Sequence, residues 1–81
     1  MTEAQLREVI SKTLGQIAPE ADLTQLPPEA DLRQALDIDS FDHLQFLIGL
    51  HEALGVEIPE ADYGQLVTLA DIVRYLMARV P

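Results

Sequence analysis

The chain has 81 residues, no cysteine, 48% hydrophobic residues and a formal charge of −9 at neutral pH. That length holds one small domain, residues 1–81, and the apolar fraction is far above that of a disordered acidic tail. The missing thiols exclude disulfides, thiolate metal sites and a cysteine nucleophile, while the acidity weighs against nucleic acid and anionic membranes and favours basic protein surfaces.

The first predicted helix opens on Thr2 and Gln5, a capping-box pair. Leu6, Val9, Ile10, Leu14 and Ile17 follow at three- and four-residue steps, and Pro19 marks its end. Glu3, Arg7, Glu8 and Lys12 interrupt any leader-like apolar run, and no stretch of about 18 apolar residues occurs, so no membrane insertion is expected and a cytoplasmic location is.

Residues 18–39 form a long connection with three prolines, which Leu23, Leu26, Leu32, Leu36 and Ile38 should pin to the core. Asp31 to Leu36 can wind into a short helical turn. The acids concentrate from here on: residues 20–62 carry eleven Asp and Glu against Arg33 alone.

The second helix is expected from Ser40 to Leu54, stopped by Gly55. Val56 and Ile58 then alternate with Glu57 in an extended connector that ends at Pro59. Glu60 to Leu66 reads as a short third helix, and Thr68 with Asp71 caps a last helix that buries Leu69, Ile72, Val73, Leu76 and Val80. Three longer helices and a short one make an all-α four-helix bundle.

The second helix has two apolar sides. On a wheel of about 100° per residue, Phe46, Leu47, Leu50 and Leu54 fall together, while Phe41, Leu44 and Ile48 gather opposite, near Gln45 and Glu52. One stripe suffices for a small bundle, so the other meets either a second wall of the core or a partner.

Asp39 or Ser40 can cap this helix through a side-chain oxygen, which is what such residues ordinarily do there. A helix start also presents free N–H groups and a positive dipole end, so a phosphodiester on Ser40 would be well placed. Asp39 would repel phosphate by itself and makes more sense as a carboxylate recognised by a modifying enzyme. A calcium loop fails, because its third ligand position falls on Phe41, its glycine on Asp42 and its closing glutamate on Ile48. His43 and His51 lack the spacing of a helical metal pair and read as ordinary surface or half-buried histidines. Ser40 has no credible base and no glycine-flanked elbow, so neither a catalytic set nor a metal site is expected.

At these residues the chain resembles the acyl carrier protein family. Leu36-Asp37-Ile38-Asp39-Ser40-Phe41 is similar to the family's Leu-Gly-x-Asp-Ser-Leu signature, and Leu54-Gly55-Val56-Glu57-Ile58-Pro59 to its segment after the second helix. The resemblance covers essentially the whole chain. It implies that a phosphopantetheinyl transferase moves 4′-phosphopantetheine from coenzyme A onto Ser40, with Asp39 recognised by that transferase. The arm's thiol then holds acyl groups as thioesters for delivery to acyl-transferring, ligase or synthase enzymes with basic docking patches. It also implies docking through Phe41, Asp42, Gln45, Ile48, Glu52 and Glu60, an acyl-chain cavity among Phe46, Leu47, Leu50, Leu54, Leu66, Leu69 and Ile72, and a monomer that is not an enzyme.

Three departures mark the chain: Asp37 where glycine is usual, Phe41 where leucine or methionine is usual, and Gln45 where many fatty-acid carriers have glutamate. They suggest a specialised free-standing carrier in fatty-acid, lipid or polyketide-type biosynthesis. The alternatives are a peptidyl or aminoacyl carrier of nonribosomal peptide assembly and an unmodified acidic module that only binds proteins.

Overall fold

Thr2 accepts a hydrogen bond from the Gln5 amide at 3.1 Å, while the Gln5 side chain accepts from the Thr2 amide at 2.9 Å. This reciprocal pair satisfies two donors that a helix start leaves open, and it opens α1, Glu3–Ile17, in the computed structural model, which describes residues 1–80. The remaining elements are a one-turn α2 (Leu32–Ala35), α3 (Ser40–Leu54), a 3-10 segment (Glu60–Gln65) and α4 (Leu69–Met77). The described residues are all-helical, with one isolated antiparallel bridge between Asp31 and Thr68.

Local chemistry sets most of these ends. Asp31 caps α2 by accepting from the amides of Arg33 and Gln34. Gly55 ends α3 in the left-handed region at φ 65°, where glycine pays no Cβ penalty, and its amide bonds the His51 carbonyl. Thr68 and Asp71 close the second capping box, at the head of α4. The expected short helix at 60–66 is realised as a 3-10 segment that ends at Gln65. Pro59 offers it no side-chain cap and none of its residues is fully buried, so capping lends a wider helix no support and packing only a little.

One core joins the elements. Leu6, Ile10 and Leu14 of α1 meet Phe46, Leu47 and Leu50 of α3 and Leu69, Ile72, Val73, Tyr75 and Leu76 of α4. Leu32 and Leu66 bring in the two connections, and Val56 and Ile58 bring in the extended segment after α3. Of the five apolar residues expected to pin the long connection, Leu32 is fully buried and Leu23, Leu26, Leu36 and Ile38 are half-buried. Val80 is likewise half-buried rather than sealed in.

α1 and α3 approach closely at Gly49, where an added Cβ would stand 2.8 Å from the Thr13 γ-methyl. Thr13 is itself buried, so that methyl has little room to yield. Helix propensity alone favours alanine over glycine by about 1 kcal/mol, while overpacking costs about 1–3 kcal/mol. Gly49→Ala is therefore expected to destabilise by about 1 kcal/mol in urea melts. Thr13→Ser, which removes the methyl, should turn the same substitution into a gain. A stabilised single variant would show that the two helices can part freely.

Candidate functional site

Asp39, not Ser40, caps α3: its Oδ1 accepts from the Asp42 amide at 2.9 Å, and its carbonyl accepts from the His43 amide at 3.1 Å. Ser40 is thereby the first helical residue, exposed, with its hydroxyl bonded to nothing among the described residues. The amides of Ser40 and Phe41 likewise find no acceptor among the described residues. Two free N–H groups at the positive end of a 15-residue helix suit a phosphodiester on the adjacent hydroxyl. The chemistry of the donor set therefore fits 4′-phosphopantetheine.

Two residues upstream of the cap, Asp37 has φ 53°, the one non-glycine residue in the left-handed region among those described. The position where the sequence departs from glycine is thus one where glycine is sterically free. Aspartate is among the few side chains that tolerate this region. Asp37→Gly is expected to be at least as stable as the parent, whereas Asp37→Val should lose about 1–2 kcal/mol. Equal denaturation midpoints for the two variants would refute a left-handed backbone here.

The two sides of α3 separate in space. Phe46, Leu47 and Leu50 are sealed in the core with Leu66, Leu69 and Ile72, and Leu54 packs against them half-exposed. On the other side Phe41 is 64% exposed, Gln45 and Glu52 are exposed, and Asp42, Leu44 and Ile48 are half-buried. At its far end this stripe meets a shallow groove shared with α1, lined by Val9, Lys12, Thr13, Gln16, Gly49, Glu52 and Ala53. Glu60 is exposed on the 3-10 segment, a separate element that no bond joins to the stripe among the described residues.

His43 ties the start of α3 to the segment entering α4, its Nε2 lying 2.9 Å from the Leu66 carbonyl oxygen. Burial holds its pKa below the usual histidine value; the Leu66 bond and Asp31 oppose that shift and Arg33 adds to it. His51, at the other end of α3, accepts from the Ile58 amide through Nδ1 at 3.3 Å and so anchors the extended connector. Both histidines thus have structural bonds, and no cluster of three or more potential metal ligands exists among the described residues.

Sequence reasoning missed one further constellation. Tyr75 is buried and donates to Asp62 Oδ2 at 2.6 Å, while the Arg79 guanidinium lies 3.6 Å from the centre of its ring. The Tyr75–Asp62 bond fastens the 3-10 segment to α4. The aromatic residue at 75 falls between Ile72 and Leu76 in the helical pattern, a signal that could have placed it inside.

A family model described as the phosphopantetheine attachment site matches residues 4–76. Acyl carrier proteins of Helicobacter pylori strains G27 and HPAG1 are each 36% identical over 74 residues, covering 91% of this chain and 83% of the relative. The solution structure of a putative acyl carrier protein from Anaplasma phagocytophilum superposes with a TM-score of 0.69 at 26% identity, covering 94% of this chain and 84% of that one. No helix among the described residues is long and apolar enough to cross a membrane.

Proposed function

This chain belongs to the acyl carrier protein family, whose members are carriers without catalytic activity of their own and bear covalent 4′-phosphopantetheine, and we propose that Ser40 is the residue that bears it here. The observation that carries the assignment is the exposed, unbonded hydroxyl of Ser40 beside two free amides, with capping left to Asp39. A serine that capped the helix would have its oxygen engaged by a backbone N–H. The cofactor supplies the thiol that a chain with no cysteine lacks, and that thiol holds an acyl group as a thioester. The protein's own part is to present that cargo to successive enzymes at high effective concentration.

Family membership implies partners in general: a phosphopantetheinyl transferase and biosynthetic enzymes. More specifically, Phe41, Asp42, Gln45, Ile48 and Glu52 form the surface on which basic patches of those enzymes dock, with Glu60 as a separate acidic contact. An exposed phenylalanine flanked in sequence by Asp39 and Asp42 supports this reading, because the ring adds apolar contact area and the charges speed encounter. Phe46, Leu47, Leu50, Leu54, Leu66, Leu69 and Ile72 are the walls between which an acyl chain would be sheltered. Gln45, Phe41 and Asp37 favour a specialised free-standing carrier in fatty-acid, lipid or polyketide-type biosynthesis.

The test is incubation with coenzyme A and a promiscuous phosphopantetheinyl transferase, followed by intact mass measurement. The mass is expected to rise by one phosphopantetheinyl group. A chain that keeps its mass would be an acidic helical module that only binds proteins.

A further inference from the structure

His43 lies three residues after Ser40 and so on the same side of α3, one turn further in. A carbonyl oxygen only accepts, so the 2.9 Å contact with Leu66 makes Nε2 the protonated nitrogen of the neutral ring. Nδ1 is then a bare lone pair. It is buried, and no donor among the described residues meets it. Phe46 lies nearest in the ring stack, tilted at 58° and 6.5 Å away, and its ring has no donor to offer. Arg33 acts on the imidazole electrostatically but makes no bond to it. The residue as a whole is only half-buried.

A buried acceptor without a partner is uncommon and calls for an explanation. Here it sits one helical turn from the hydroxyl assigned as the attachment point. We infer that His43 Nδ1 is a receiving group for a hydrogen-bond donor on the arm borne by Ser40, and that His43 is a positioning residue for that arm. This rests on the Ser40 assignment. The chemistry matches: phosphopantetheine carries a hydroxyl and amide N–H groups along its length, and a neutral imidazole nitrogen accepts from either. The Leu66 bond fixes the tautomer that leaves Nδ1 free to accept, much as a hydrogen bond to one ring nitrogen sets the role of the other elsewhere. Lowered basicity from burial keeps the ring neutral at physiological pH and preserves the lone pair.

The experiment is nitrogen NMR of ¹⁵N-histidine-labelled protein at neutral pH, before and after loading, with the mass gain verified on the same sample and Ser40→Ala treated identically. The Nδ1 resonance of His43 is expected to move upfield on loading, the sense of a lone pair gaining a donor, while Nε2 stays protonated. Ser40→Ala should show no movement. A loaded chain whose Nδ1 stays in place overturns this inference and leaves the attachment reading standing. An apo spectrum in which Nδ1 is already hydrogen-bonded, or is the protonated nitrogen, also overturns it. A chain that gains no mass overturns both. His43→Phe, which keeps a ring but no acceptor, supplies a second readout: in its loaded form at least one of the arm's hydroxyl and amide protons should exchange with solvent several-fold faster than in the parent. Equal exchange rates in the two would count against the contact.

Discussion

Ser40→Ala is expected to abolish the phosphopantetheinyl mass gain completely while leaving the melting temperature within about 4 °C of the parent. The two halves of that result have separate physical causes. The hydroxyl is the only group at position 40 that can form the phosphoester, so its removal leaves no slower route. The fold does not need it, because the cap bond comes from Asp39 and the serine side chain is exposed and unbonded. Alanine is also a better helix former than serine at an ordinary helical position. A residual mass gain in the variant would place the arm elsewhere, and a large fall in stability would mean that Ser40 has a structural bond.

Asp39 is the companion test, since capping and enzyme recognition both converge on its carboxylate. Asparagine caps about as well as aspartate, whereas alanine forfeits about 1 kcal/mol. Asp39→Asn should therefore melt close to the parent but be modified at least about tenfold more slowly, roughly the worth of one charge-assisted contact. Asp39→Ala should lose both stability and rate. If the asparagine variant is modified at the parent's rate, Asp39 is a cap and nothing more.

What the sequence could and could not reveal follows the range of the interactions. Thr2 with Gln5 and Thr68 with Asp71 bond across three residues, so their capping boxes are legible from spacing alone. The same holds for the bounds of α3, which runs from Ser40 to Leu54 and stops at Gly55, as expected. Several acids are spent locally in this way: Asp22 closes a turn on Thr24, and Asp31, Asp39 and Asp71 serve helix starts. The acidic composition is thus partly a capping inventory and not only a field for basic partners.

Contacts between distant segments were not legible. Nothing in the pattern around His43 announces the carbonyl of Leu66, 23 residues away, or pairs Tyr75 with Asp62. The left-handed backbone at Asp37 was visible only indirectly, as a departure from glycine in a familiar signature. Whether Asp39 or Ser40 carries the cap was open, and the geometry at residues 39–42 decides it in favour of Asp39. The second apolar stripe of α3 was also open between core and surface. The structure divides it: Leu44 and Ile48 are half-covered, and Phe41 stands out in solvent.

Two phenylalanines five residues apart on α3 should respond in opposite ways to the same substitution. Phe46 is completely buried, and truncation to alanine is expected to cost about 3–5 kcal/mol, the sum of lost transfer free energy and the cavity left behind. A domain of this size has roughly 4–12 kcal/mol in total, so that loss removes a large share of its stability. At about 4–8 °C per kcal/mol, the melting temperature should fall by at least about 12 °C. Phe41 is 64% exposed, and Phe41→Ala should change stability by less than about 0.5 kcal/mol. Its effect should appear instead in slower turnover by partner enzymes, because the apolar contact it offers them is gone. Thermal melts of the two variants separate the readings. If Phe46→Ala melts within a few degrees of the parent, the interior of α3 is looser than its burial indicates. If Phe41→Ala melts early, its side of the helix belongs to the core and cannot be the docking surface.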